Sequence, residues 1–101
     1  MTEVERSLIR ALHDVSGATD VALELASGER VVGRPSRIDR DQGGIRVEVC
    51  PFSGEAPQYR VRASRTPTGW LSPVVERRPP DGEWQRHGDL VAVRRLPPPP
   101  R

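Results

Sequence analysis

Arg60 and Arg62 sit two residues apart in a stretch, residues 58–64, where Tyr59, Val61 and Ala63 alternate with them. A period-two strand therefore presents both guanidiniums on one face. Arg65, Arg77, Arg78, Arg86, Arg94 and Arg95 follow in the same half of the chain. Planar guanidinium forks pair with phosphate and stack on flat rings. Unstacked bases need aromatic platforms, and the chain offers Phe52, Tyr59, Trp70 and Trp84. Phe52 and Tyr59 are expected in the core, which leaves Trp70 and Trp84 as candidate platforms. The chemistry this composition points to is the binding of RNA.

Other chemistries find less support. His13 is expected on the solvent side of a helix and His87 in a turn. Cys50 lies between Val49 and Pro51 on a strand, where a buried inert thiol is the default. The chain has no H-x-x-x-H, C-x-x-C, G-x-S-x-G or P-loop spacing. One Cys and two distant His do not make a closed zinc site within one chain. We expect no enzyme activity, no metal, no cofactor and no small-molecule substrate. Asp39 is the single acid that stands out, as a ligand-binding or a turn-capping residue.

The charge supports an anionic partner. All sixteen basic residues are Arg, with no Lys, and they are unevenly placed. Residues 1–20 carry two Arg against four acids, and residues 21–58 carry five against six. Residues 59–101 carry nine against four, a net +5. A single cysteine excludes an internal disulfide and suits a cytoplasmic setting. No apolar run approaches the roughly 20 residues a membrane span needs, so no membrane partner is expected.

These residues need a scaffold. Val21, Leu23 and Leu25 alternate with Ala22, Glu24 and Ala26, a strand with one buried face. Ser27-Gly28-Glu29 turns the chain into a second strand over residues 30–38. Pro35 interrupts it and demands an edge, a bulge or a bend. Asp41-Gln42-Gly43-Gly44 turns into a third strand over residues 45–50. Residues 58–64 form a fourth, and residues 70–77 a fifth, broken at Pro73. A short extended piece begins at Trp84, Gly88-Asp89 punctuates it, and residues 90–95 make the last strand. Ahead of them, Thr2 and Glu5 read as a capping box. Val4, Leu8, Leu12 and Val15 form an apolar stripe with Ile9 on its flank, on a helix over about residues 2–15. The expectation is one mainly β domain, residues 1–96. It is a small bent antiparallel SH3/Sm-like barrel of five to six strands, with one N-terminal α-helix across its end. Residues 97–101 form a proline-rich tail outside the core. Its Arg94-to-Pro100 run fits the R-x-L-P-P-x-P form that SH3 domains recognise, as proline-rich composition alone produces.

The pattern Leu23-x-Leu25-x-x-Gly28, Gly33 and Asp39 behind a short helix resembles the first motif of Sm-like proteins. The run Arg86-His87-Gly88-Asp89 leading Leu90–Val93 is similar to the second. The resemblance covers about 60 residues in the notation of those motifs. It implies a small bent barrel that closes into rings of six or seven copies, a homo-oligomer, and binds uridine-rich single-stranded RNA. In that family an Asp, an Asn and an Arg cradle each base. By position, Asp39 matches the Asp, Gly43 stands at the Asn and Arg86 approximates the Arg. The sequence therefore predicts a non-enzymatic, nucleic-acid-associated module using Asp39, Arg60, Arg62, Arg86, Trp70 and Trp84. The alternative is a protein-interaction or assembly module docking another chain by a barrel edge or helix face.

Overall fold

A computed structural model describes residues 3–52 and 58–97, with side chains from residue 6 onward. The capping box at Thr2, the loop at residues 53–57 and the end of the proline tail lie outside the described residues. Helix α1 (Glu3–His13) is followed by β1 (Val21–Leu25), β2 (Arg30–Asp41), β3 (Gly44–Pro51) and β4 (Gln58–Thr66). Then come β5 (Gly69–Trp70), β6 (Val74–Arg78) and β7 (Gln85–Arg95). All pairings are antiparallel. Six strands run β3-β2-β1-β7-β6-β4, and β3 pairs with β4 to close the barrel. β5 is an extra strand folded back on the end of β4.

Closure depends on two long bent strands. β2 pairs with β1 up to Gly33 and with β3 from Gly33 onward, so it serves two walls. Gly33 faces both Val21 and Pro51. A Cβ there would lie 2.3 Å from the Cys50 carbonyl oxygen, so only glycine lets the strands approach. The register shifts between Pro35 and Arg37, which is the bulge the proline demanded. β7 likewise pairs with β6 through its first half and β1 through its second.

The alternating residues fill the barrel. Val21, Leu23, Leu25, Ile45, Val47, Val49, Val61, Ala63, Val75 and Leu90 are buried. Leu8, Ile9 and Leu12 of α1, with Val15 beyond its end, join the same core. Each such Leu, Ile or Val contributes roughly 1.5–3 kcal/mol over leaving it exposed. An 11-residue helix is marginal alone. Arg40 of β2 also holds it, donating from one Nη to the carbonyls of His13 (2.8 Å) and Val15 (2.7 Å). A cation on the terminal carbonyls satisfies orphan acceptors and opposes the helix dipole.

Several boundaries differ from the sequence reading. The helix ends at His13, and Val15 reaches the core from the following turn. The expected broken fifth strand is two strands. Pro73 donates no hydrogen bond, and its carbonyl accepts from Leu90 N–H at 3.2 Å instead. Gly88-Asp89 does not interrupt β7. Gly88 sits in the ladder opposite Val75, and a Cβ there would press Leu25 Cδ2 at 3.1 Å. Phe52 is not in the core: it is 59% exposed, one residue past the end of β3, where no facing strand covers it. Tyr59 is half-buried against the core. His87 lies on β7, not in a turn. No helix among the described residues is long and apolar enough to cross a membrane.

Candidate nucleic-acid interface

The outer face of the β2-β3-β4-β6-β7 wall carries charges in rows set by strand register. One row runs Arg37, Glu48, Arg60, Glu76, Arg86, alternating in sign across five strands. The next runs Asp39, Arg46, Arg62, Val74, Asp89. Opposite charges facing each other on neighbouring strands are favourable, and like charges are not. The first row obeys this rule throughout. The second breaks it once, where Arg46 directly opposes Arg62.

Arg60 is the most firmly held of these groups. Its Nε donates to Glu76 Oε1 at 2.8 Å, and an Nη lies 2.8 Å from the same oxygen. Glu76 is only 8% exposed, the one buried charged residue in the described chain. The Arg60 guanidinium also lies 4.5 Å from the centroid of the Trp84 ring, and that of Arg78 lies 5.1 Å from it. Arg78 donates in turn to the Gln58 side-chain carbonyl. Trp84 stands half-buried just before β7, joined to the strand face by two guanidiniums. Its neighbours offer guanidinium planes, an amide and the ring itself, the groups that stack on bases and bond to their edges.

Arg62 is held more loosely. Among the described residues its closest carboxylate is Glu76 Oε2 at 3.7 Å, beyond hydrogen-bond distance, and its side chain is 48% exposed. It borders a surface cavity of about 530 Å³ together with Arg46, Ser64 and the Asp41–Gly44 turn. A smaller crevice, about 290 Å³, lies among Arg37, Asp39, Arg46, Glu48 and Arg60.

Four of the six residues singled out in the sequence thus share one wall: Asp39, Arg60, Arg62 and Arg86, with Trp84 at its margin. Asp39 accepts from Arg37 Nε at 3.0 Å and lines the same crevice as Arg60. Arg86 pairs with Asp89 at 2.6 Å; it sits on β7 in the other row from Asp39, with β3, β4 and β6 between them along the wall. The three-residue base cradle is therefore not assembled: Gly43 carries no side chain, and its N–H donates to Asp41 Oδ1 at 2.7 Å. Trp70 lies apart from Arg60 and Arg62. It pairs with Arg65 on the core-facing side, packs on the core and meets His13 edge-on at 6.3 Å. Trp70 sits at the helix end of the barrel, half-buried, with the Arg65 guanidinium 6.0 Å from its ring centroid.

Glu76, Gln58 and Arg46 were missed from sequence, and Arg78 was read only as one of the clustered arginines. A lone acid, Glu76, between the valines of β6 and two arginines was the available signal, since only a paired carboxylate survives in such company. His87 Nε2 contacts Glu29 Oε2 at 2.7 Å, tying β7 to the β1–β2 turn, and its ring lies 5.7 Å from that of Tyr59. Among the described residues no three His, Cys, Asp or Glu cluster as a metal site. No known protein family, curated protein or solved structure matches this chain.

Proposed function

We propose that this protein is a non-enzymatic module that binds single-stranded RNA on the outer wall of the barrel, in a cytoplasmic setting. The observation that carries this reading is Trp84 with Arg60 at 4.5 Å and Arg78 at 5.1 Å, beside Arg62 and Gln58. An indole and guanidinium planes accept any base by stacking, and the neighbouring arginines pair with phosphates. The net +5 of residues 59–101 supports attraction of a polyanion. The Sm-like pattern supports it where it is kept, at Asp39 and Arg86, and the lack of an assembled base cradle favours sequence-tolerant binding.

Titrating a labelled single-stranded RNA against the protein over a range of salt tests this. Affinity should fall steeply as salt rises. Trp84→Ala should weaken binding by about 1–3 kcal/mol, the usual worth of one stacked base. No binding at low salt would end the RNA reading. The second reading is a protein-interaction module, and exposed Phe52 favours it. That ring borders a cavity of about 410 Å³ with Pro51, Val31, Val32 and Tyr59. On that reading Phe52→Ser, not Trp84→Ala, abolishes partner capture.

A further inference from the structure

The geometry points to a phosphodiester-binding station between Arg46 and Arg62, in the cavity beside the Asp41–Gly44 turn. The starting observation is the directly opposed pair on β3 and β4. Two like charges facing each other across strands destabilise a sheet unless something of opposite sign lies between them. Every other charged pair in the two rows has an acid opposite a base, so Arg46 and Arg62 stand out by position. Their side chains are 46% and 48% exposed, so both reach solvent.

The surroundings define the ligand. One nitrogen of Arg46 is taken by Asp41 Oδ2 at 2.7 Å, and Asp41 Oδ1 holds Gly43 N–H at 2.7 Å. Asp41 is thus fixed within the cavity as a single negative charge against two positive ones. The cavity lining carries a net +1, with Asp39 opposite Arg46 and Glu76 3.7 Å from Arg62 just outside it. An internal phosphodiester's single charge is neutralised there, and the nucleosides on either side of it add contacts that free phosphate lacks. Arg62 lies 3.7 Å from Glu76 Oε2 and, among the described residues, makes no side-chain hydrogen bond, so its fork can turn to two oxygens of such a group. Ser64, half-buried opposite Gly44, lines the same space with a hydroxyl. A Cβ on Gly44 would fall 2.0 Å from the Ala63 carbonyl oxygen, so glycine lets the turn lie flat against β4 and leaves the cavity open.

The station deepens the RNA reading, on which its place in the strand's path rests. Arg60 and Arg62 are two residues apart on β4, about 7 Å along the strand. A single strand of RNA running along β4 would stack a base at Trp84 and set a neighbouring phosphate between Arg62 and Arg46.

The test uses two probes on the full chain. The dinucleoside monophosphate uridylyl-uridine carries one diester and no terminal phosphate. Added to isotope-labelled protein, it should shift the backbone amides of Gly43, Gly44 and Ser64 saturably, and inorganic phosphate should do so several-fold more weakly. Arg62→Ser should abolish the response. Arg62→Lys keeps the charge without the fork and should retain only part of it. With a longer single-stranded RNA, Arg62→Ser should lower the slope of log affinity against log salt by about 0.7, the loss of one phosphate contact. Absence of a saturable response to the dinucleotide, or a response unchanged in Arg62→Ser, overturns the station. If the dinucleotide shifts these amides but no longer RNA binds, the station holds and the RNA reading falls. If RNA binds with Trp84 required but Arg46→Ser and Arg62→Ser leave affinity and salt slope unchanged, the RNA reading holds and the station falls.

Discussion

At the scale of single residues, Glu76 organises the face. It is buried on the outer face between Arg60 and Arg86 of the neighbouring strands, and its one carboxylate meets Arg60 at 2.8 Å and Arg62 at 3.7 Å. Arg60 is thereby laid against Trp84. Removing one partner of a buried pair leaves the other uncompensated, which costs more than the pair itself contributes. Glu76→Ala should lower unfolding free energy by about 2 kcal/mol, less than a fully buried pair because Arg60 keeps some access to water. Arg86→Ala breaks an ion pair whose side chains are 68% and 54% exposed. It should change stability by under about 0.5 kcal/mol. Urea midpoints for the two variants check this, and equal midpoints would show that burial of Glu76 does not matter. Phe52 teaches the same lesson in reverse. Its type suits a core, but burial depends on a facing strand, and β4 meets β3 only as far as Val49 opposite Tyr59.

At the scale of elements, the helix and the barrel hold each other through Arg40. β2 runs past its pairing with β1, and that extension carries Arg40 to the end of α1. The strand was expected to stop at residue 38, so this contact was invisible in the sequence. Arg40→Ala removes two charge-assisted bonds, one to the helix-end carbonyl of His13 and one to that of Val15 in the following turn. It should cost about 1–2 kcal/mol and raise amide exchange in α1 selectively over the β-sheet. Uniform exchange throughout the chain would refute a local capping role. Trp70 belongs to this helix end as well, because its edge contact with His13 helps seat α1 on the barrel. That is why Trp70 and Trp84, alike in sequence, have different surroundings.

At the scale of the whole molecule, the closed barrel restricts how copies can associate. Among the described residues, β2 pairs with β1 only as far as Gly33 and with β3 beyond it, and β7 pairs with β6 before Leu90 and with β1 from there, so residues 34–41 and 85–89 each keep one side of the strand unpaired. Strand addition between copies would have to use these edges. Sedimentation at low protein concentration should therefore give a mass above that of a single chain if the edges pair between copies. A single-chain mass would show that they stay unpaired. Net charge also acts at this scale. The arginines of the C-terminal half set the long-range field, and the rows of ion pairs set which of them remain free for a ligand.

Much of this was legible from the residues alone. The alternation at Val21–Leu25, Ile45–Val49 and Tyr59–Ala63 specified which side chains face the core, because inside and outside follow a period of two that is local to each strand. Pro35 announced its bulge, and the outward direction of Arg60 and Arg62 followed from the same alternation. What faces what across strands was decided by the tertiary structure. Register depends on bulges at Glu24/Leu25, Pro35/Arg37 and Val75/Glu76, each of which moves every later partner by one residue. The last two set Arg37 opposite Glu48 and Arg86 opposite Glu76, while the unbroken β3–β4 and β4–β6 ladders set Arg46 against Arg62 and Glu76 against Arg60. Such pairings join residues up to tens of positions apart, and only the closing of the barrel brings them together.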